Sequence, residues 1–105
     1  MSEIANYLRL MIPSNREIKQ SSMTVYGDRA QFTSALTTGY KRRGFAIQNN
    51  ESSNKMYIGD STVTATDGFP IAAGATLEFG VTVDIDPYFV CASGETCDAR
   101  IIEIA

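Results

Sequence analysis

The sequence contains no histidine, and this absence removes several kinds of active site. Without histidine there is no Ser–His or Cys–His nucleophile pair and no imidazole ligand for a metal ion. Tryptophan is absent too, which weakens an interpretation as a carbohydrate-binding protein that stacks sugars on indole rings. The composition favours a structural or binding protein over an enzyme, and we expect no catalytic residues and no cofactor.

Long apolar runs are also missing. No run approaches the ~20 residues that a helix needs to cross a bilayer. The N-terminal segment begins Met1-Ser2-Glu3 and lacks the basic, apolar and small-residue order of a signal peptide. We therefore expect a soluble protein made in the cytosol, without a membrane partner.

Charge is divided unevenly along the chain. Residues 1–43 carry seven basic and three acidic side chains, whereas residues 44–105 carry two basic and nine acidic ones. The net charge of −3 makes the whole chain a poor binder of polyanions, so direct nucleic-acid binding is not expected. The two parts could attract each other within one molecule or between copies, or they could simply be solvated faces that differ. The densest basic cluster consists of Lys41, Arg42 and Arg43.

Only two cysteines occur, Cys91 and Cys97, and their spacing fits no zinc-binding pattern. If they lie opposite each other on adjacent strands, their Cα atoms can approach the ~5.5 Å that a disulfide accepts. We expect an intramolecular disulfide in material that has left the cytosol and free thiols in freshly made protein. The alternatives are two free thiols or a cross-link between chains.

The first 22 residues differ in pattern from the rest of the chain. Ser2 can cap a helix, and apolar residues then follow at helical spacing until Pro13 ends the pattern. A helix of about ten residues is not stable alone in water, so its apolar stripe must pack on something. The sequence predicts an N-terminal arm over residues 1–22, a short amphipathic helix plus a polar linker, that packs on another subunit. The stripe consists of Ile4, Tyr7, Leu8 and Met11.

From Met23 onward the apolar residues alternate with period two, and turn residues interrupt them about every 8–12 residues. This pattern predicts one all-β domain over residues 23–105, an antiparallel β-sandwich or jelly roll of about seven short strands. In the last strand Ile101 is followed directly by Ile102, and this break in the alternation predicts a β-bulge. The predicted core consists of Phe45, Ile47, Met56, Ile58, Leu77, Phe79 and Val81.

Two aspartates, Asp84 and Asp86, have the spacing that places both carboxylates on one side of a strand. They supply only half of a calcium site, because calcium takes six or more oxygen ligands. Asp60 and Asp67 would complete the site only if the fold converges there. The simpler interpretation is that these acids belong to turns, and no metal site is predicted.

Residues 43–105 contain, in this order, the segments GFAIQNN, MYIGDSTVTATDGFPIAAGATLEF, YFVCAS and DARIIEIA. The order and spacing of these segments resemble those of small structural proteins of tailed bacteriophages. The resemblance implies a β-sandwich module that works as assembled copies without a cofactor, in head decorations, collars, fibres or tails. The two cysteines and the N-terminal arm depart from the pattern of those proteins and leave the position in the virion open.

On this basis we expect a virion protein, made in the host cytoplasm, that decorates or cements the capsid. Its expected partners are the major capsid protein or other virion proteins, and it is expected to form a homo-oligomer. One alternative is a neck, collar or tail component of the virion. Another is a receptor- or glycan-binding module, and exposed aromatic residues clustered at one end of the sandwich would favour that alternative. The expected assembly interface consists of Ile4, Tyr7, Leu8, Met11, Lys41, Arg42 and Arg43.

Overall fold

The computed structural model describes residues 17–79 and 85–105. Within these ranges the chain is all-β, as the sequence predicts, and it contains no helix. These ranges therefore include no helix that is long and apolar enough to span a membrane. The strands are β1 (Ile18–Val25), β2 (Ala30–Gln31), β3 (Gly44–Asn49), β4 (Met56–Gly59), β5 (Phe69–Ile71), β6 (Thr76–Phe79), β7 (Tyr88–Cys91) and β8 (Cys97–Ile104).

The strands form two four-stranded antiparallel sheets. Sheet I has the order β1-β8-β3-β6, and sheet II has the order β2-β7-β4-β5. The pairings are nested, because β1 pairs with β8, β2 with β7, β3 with β6 and β4 with β5. The chain therefore folds back on itself as one long antiparallel hairpin, whose tip is the connection between β4 and β5 and whose successive strand pairs alternate between the two sheets.

Both sheets contribute to one hydrophobic core. Four of the residues predicted for the core, Phe45, Ile47, Met56 and Ile58, are buried, which confirms the predicted inner faces of β3 and β4. Leu77 and Phe79 are only partly buried and pack against the core, and Val81 lies outside the described residues. The buried cluster consists of Val25, Phe32, Phe45, Ile47, Met56, Ile58, Ile71, Phe89, Cys91, Cys97, Ala99 and Ile101.

The two sheets are also linked through a buried polar side chain. Asn49, at the end of β3 in sheet I, is fully buried. Its side-chain amide donates to the carbonyl of Ile71 in β5 of sheet II and to the carbonyl of Asn54, both at 2.9 Å. A buried amide is stable only when it is hydrogen-bonded, and here its two donors bind one strand of the opposite sheet and the loop before β4.

Strand β8 contains no bulge, so the bulge predicted near its end is wrong. Its register with β1 runs without interruption from Ile104 opposite Ile18 to Cys97 opposite Val25. The inward positions alternate strictly, and Glu103 occupies one of them with 0% exposure, whereas Ile102 points outward and is 42% exposed. The apparent break in the pattern arises because a charged residue lies inside the core and an isoleucine lies outside it.

The boundary predicted at residue 22 is also wrong. Residues 18–22, predicted as linker, belong to β1 and pair with β8 through the backbone. Backbone pairing of an edge strand does not require apolar side chains, and Gln20 and Ser22 are exposed. The helical stripe at residues 4–11 lies outside the described residues, so that prediction is not tested.

Candidate assembly surfaces and a buried ionic cluster

The predicted basic cluster is split by the fold. Lys41 and Arg43 are exposed, whereas Arg42 between them is only 4% exposed. The segment leads into β3, and the backbone N–H of Arg43 donates to the carbonyl of Ile104 at 2.6 Å. Extended backbone sends alternate side chains to opposite sides, so the middle arginine points inward. Arg42, expected to be part of the assembly interface, is therefore buried within its own chain, whereas Lys41 and Arg43 stay at the surface.

The guanidinium of Arg42 binds groups from two other parts of the chain. It donates to a carboxylate oxygen of Asp86 and to the carbonyl of Ile85, both at 2.7 Å. It also donates to Oε2 of Glu103 at 3.3 Å. The guanidinium carbon lies 5.1 Å from the ring centroid of Phe45, within the range of a cation–π contact. Arg42 thus joins the residues before β7 to β8.

Glu103 is the most deeply buried charged residue of the described chain, and both of its carboxylate oxygens are hydrogen-bonded. The Ser34 hydroxyl donates to Oε2 at 2.7 Å, and the backbone N–H of Ala35 donates to Oε1 at 2.9 Å. Removing a carboxylate from water is tolerable only with such partners. We call Arg42, Asp86, Glu103 and Ser34 the buried ionic cluster. It fixes the β2–β3 connection and the segment before β7 onto β8.

The aspartates considered for a calcium site are engaged elsewhere. Asp86 binds Arg42, and Asp84 lies outside the described residues. Hydrogen bonds from the hydroxyl and N–H of Thr62 hold the pKa of Asp60 below its ordinary value, and Thr64 does the same for the pKa of Asp67. Among the described residues, no group of three or more acidic or cysteine side chains is placed to hold a metal ion.

The two cysteines do not face each other within one sheet, which corrects the expected hairpin. Cys91 ends β7 in sheet II, and Cys97 begins β8 in sheet I. Gly94, with φ of 82°, lies in the turn that carries the chain from one sheet to the other. Both cysteines are buried free thiols. A disulfide here would join the two sheets rather than two neighbouring strands, and its formation in mature material stays a prediction.

Burial raises the pKa of both thiols. Removal from water disfavours the thiolate of Cys91 and of Cys97, and the Cys91 thiol also donates to the carbonyl of Val25 at 3.4 Å. The contact between the two thiols raises the pKa of Cys91 and partly offsets the rise at Cys97. Because the thiolate is the reactive species, these cysteines are expected to react slowly with alkylating reagents in the folded protein.

We therefore expect alkylation at pH 8 to be at least about 100-fold slower in the folded protein than in denaturant, where both thiols react freely. Mass spectrometry of iodoacetamide-treated protein, with and without denaturant, measures this. Rapid native labelling of either cysteine would show that the sheets open locally. Denatured material that resists labelling until a reductant is added would instead establish the disulfide.

Sheet I has an apolar patch on its outer face. Ile18 is 65% exposed and Ile102 is 42% exposed, and Ile104 is half-buried directly opposite Ile18. Gly44 pairs with Ile104 on its other side and offers no side chain to cover it. We call these three isoleucines the outer-sheet patch. Clustered exposed apolar side chains are typical of interaction sites, whereas scattered ones are not.

Sequence reasoning missed the outer-sheet patch. The signal was present in the run from Ile101 to Ile104, because an inward-facing Glu103 forces both of its neighbours outward. By itself, the break in alternation predicts a bulge rather than an outward-facing pair of isoleucines. Pairing of β1 with β8 brings the exposed Ile18 and Ile102 together with the half-buried Ile104 on this face.

Among the described residues, the exposed aromatic side chains do not form one platform. Tyr26 is 56% exposed, and its carbonyl accepts from the N–H of Cys91 in β7. Phe69 is 61% exposed and begins β5, which β4 separates from β7. Tyr26 lies on the side of β7 away from β4, so three strand spacings, or ~14 Å, separate it from β5, too far for the two rings to stack on one sugar. The arrangement gives no support to a glycan-binding module.

No protein-family model matches this chain, and no curated protein matches it significantly. The fold, the exposed surfaces and the motif order of residues 43–105 are therefore the basis on which a function is proposed.

Proposed function

We propose that this chain is a structural protein of a tailed-bacteriophage virion, one that decorates or cements the capsid and binds the assembled head through its arm and β-domain. The observation that carries the proposal is the nested pairing of eight strands in two antiparallel sheets. Two further observations support the proposal. The order of sequence motifs resembles the order in such proteins, and an apolar patch lies on the outer face of one sheet.

We further propose that the two sheets form a β-sandwich of the jelly-roll type. A jelly roll consists of eight antiparallel strands arranged in two Greek keys, and it is common in viral capsid and lectin domains. The strand orders 1-8-3-6 and 2-7-4-5 support this assignment, since they are the result of wrapping one long hairpin so that its pairs alternate between sheets. The same fold serves unrelated functions, so the fold alone does not decide among them.

The described polar residues also support a structural role. The charged groups inside the protein bind one another, and those in the β4–β5 connection bind threonines of their own turns. These charged groups hold loops of the chain's own fold in place. What remains for interaction is the exterior: the outer-sheet patch, the exposed Lys41 and Arg43, and the predicted apolar stripe of the arm.

Deletion of residues 1–16 tests the proposal. We expect this truncation to weaken binding to purified particles by at least about tenfold, since it removes four apolar anchors, and to change the melting temperature by less than about 2 °C. Co-sedimentation with particles and thermal unfolding measure the two quantities. The matched control is the full-length Leu8→Asp variant, which keeps the chain length and should bind as weakly as the truncation.

A large drop in melting temperature would contradict the prediction, because it would make the arm part of the core of its own domain. Unchanged particle binding by both variants would show that the arm is not part of the interface with the particle. A particle reconstruction then assigns the position, since density on the capsid surface supports decoration, whereas density only at the neck, collar or tail favours the alternative.

A further inference from the structure

We propose that Cys91 and Cys97 are a redox switch, in which a reversible disulfide joins the two sheets at one end of the protein when the medium becomes oxidising. In this switch the Cys91 sulfur reacts first with a small-molecule disulfide, and the Cys97 sulfur then closes the bond. The switch is independent of the proposed function, because it requires only a change in redox conditions and no partner protein.

The two sulfur atoms are in contact although their strands belong to different sheets. Cys91 ends β7 in sheet II, Cys97 begins β8 in sheet I, and each side chain is 1% exposed. The two thiols are within hydrogen-bond contact of each other. The turn between them contains Gly94 in the left-handed region, and it carries the chain to the other sheet without separating the two sulfurs. A disulfide therefore requires a small approach of the sulfur atoms and no change in strand pairing.

Each thiol is held by a backbone carbonyl. The Cys91 thiol donates to the carbonyl of Val25 at 3.4 Å, and the Cys97 thiol donates to the carbonyl of Lys55 at 3.6 Å. These bonds fix the side chains toward each other in the reduced protein. Because a thiol is a weak donor, the loss of both bonds on oxidation costs little.

An open polar cleft leads to Cys91. The β1–β2 turn, the β4–β5 connection and the end of β7 enclose a volume of about 420 Å³. Cys91 lies in the wall of this cleft with four polar residues, Asp28, Arg29, Thr64 and Ser93. Cys97 is not among the lining residues. A small-molecule disulfide such as oxidised glutathione therefore approaches the Cys91 sulfur first.

Closure of the switch is a thiol–disulfide exchange in two steps. The Cys91 thiol loses its proton, and the thiolate attacks one sulfur of oxidised glutathione, whose S–S bond breaks. The released glutathione thiolate takes up a proton. The Cys97 thiolate then attacks the Cys91 sulfur of the mixed disulfide and releases the second glutathione, which is protonated in turn. Two protein thiols are oxidised, and one small disulfide is reduced to two thiols.

The two steps differ in rate. Burial raises the pKa of Cys91, so little of the reactive thiolate is present and the first attack is slow. The second attack occurs between groups of one chain that are already in contact, and such intramolecular steps are fast. We therefore expect the mixed disulfide on Cys91 to be short-lived in the wild-type protein.

The disulfide strengthens a connection that otherwise depends on a few hydrogen bonds. The side-chain amide of Asn54 donates to the carbonyl of Thr96 at 2.9 Å, and Glu51 accepts from the backbone N–H of Asp98 at 3.0 Å. A covalent bond across this short turn reduces the conformational entropy of the unfolded chain. We expect the oxidised protein to melt about 10 °C higher than the reduced protein.

Oxidation of the native full-length protein tests the switch. Incubation with oxidised glutathione is expected to remove both alkylatable thiols while the protein stays monomeric on a non-reducing gel, and to raise the melting temperature. Dithiothreitol should reverse both changes. Cys91→Ala and Cys97→Ala are the matched controls, since neither can close the bond, and circular dichroism confirms that they are folded. Oxidation only in denaturant, oxidation only to cross-linked dimers, or an unchanged melting temperature would overturn the switch.

The order of the two steps is tested by trapping the mixed disulfide. Cys97→Ala cannot complete the second step, so glutathione should accumulate on its Cys91 at least about tenfold faster than on the Cys97 of Cys91→Ala. Acid quenching and peptide mapping of the wild-type protein identify the first modified sulfur without any substitution. Faster modification of Cys97 in either experiment would overturn the proposed order.

Discussion

Replacement of Glu103 by alanine is expected to destabilise the protein by about 3–5 kcal/mol, because it leaves a buried arginine without one of its two carboxylate partners. Glu103 is fully buried, and Arg42 is almost so. The substitution also removes the acceptor for Ser34 and for the backbone N–H of Ala35. Chemical denaturation monitored by circular dichroism measures the loss.

A double-mutant cycle distinguishes the loss of the Glu103–Arg42 ion pair from the loss of side-chain volume. Glu103→Met and Arg42→Met are each expected to be strongly destabilising, since each leaves the opposite charge buried. The double variant should recover part of the loss, because replacing both members of a buried pair by apolar residues is often close to neutral. A coupling free energy of about 1–3 kcal/mol is expected for groups in direct contact.

Strictly additive losses in this cycle would contradict the interpretation of an ion pair. They would mean that Glu103 is held by Ser34 and Ala35 alone, and that Arg42 depends on its bonds to Asp86 and Ile85. A loss below about 1 kcal/mol for Glu103→Ala would show that the carboxylate reaches solvent. The exposed Asp98–Arg100 pair in the same strand is the matched control, and Asp98→Ala should cost no more than about 1 kcal/mol.

The buried ionic cluster marks how far the sequence alone could predict this structure. Period-two alternation identifies the strands and the inner faces of β3 and β4, because burial on one face is a property of side chains close in sequence. Glu103 breaks that rule, since its inward position depends on Ser34, Ala35 and Arg42, which are far from it in the chain. No local pattern encodes partners more than 60 residues away.

The same limit applies to strand partners. The segments containing Cys91 and Cys97 are separated by a short turn, and such proximity in sequence usually indicates a hairpin. Here the nested pairing takes precedence, because β7 pairs with β2 and β4 while β8 pairs with β1 and β3. In the same way, residues 19–22 are polar and belong to the predicted arm, yet β8 supplies the backbone partners that make them part of a strand.

Among the aromatic residues, truncation of Phe89 is expected to lower the free energy of unfolding most, because Phe89 lies at the centre of the core. Its ring is 0% exposed and makes an edge contact with Phe32 at 6.4 Å. Phe32 contacts Phe45 at 5.6 Å, and Phe45 contacts Phe79 at 5.7 Å. This row of rings connects β7 in sheet II to β3 and β6 in sheet I, so Phe89→Ala should cost about 3–5 kcal/mol.

Phe79 provides the matched comparison, since it is the same residue type at the other end of the row. It is only partly buried and lines an apolar cleft with Ile58 and Leu77. We expect Phe79→Ala to cost about half as much as Phe89→Ala, because less of its ring leaves water on folding. Urea denaturation of both variants measures the ratio. Equal losses would mean that Phe79 is covered in solution, either by residues outside the described ranges or by a second copy. Repeating the Phe79→Ala measurement at several protein concentrations distinguishes these two cases. Only a contact between copies makes the loss of stability depend on protein concentration.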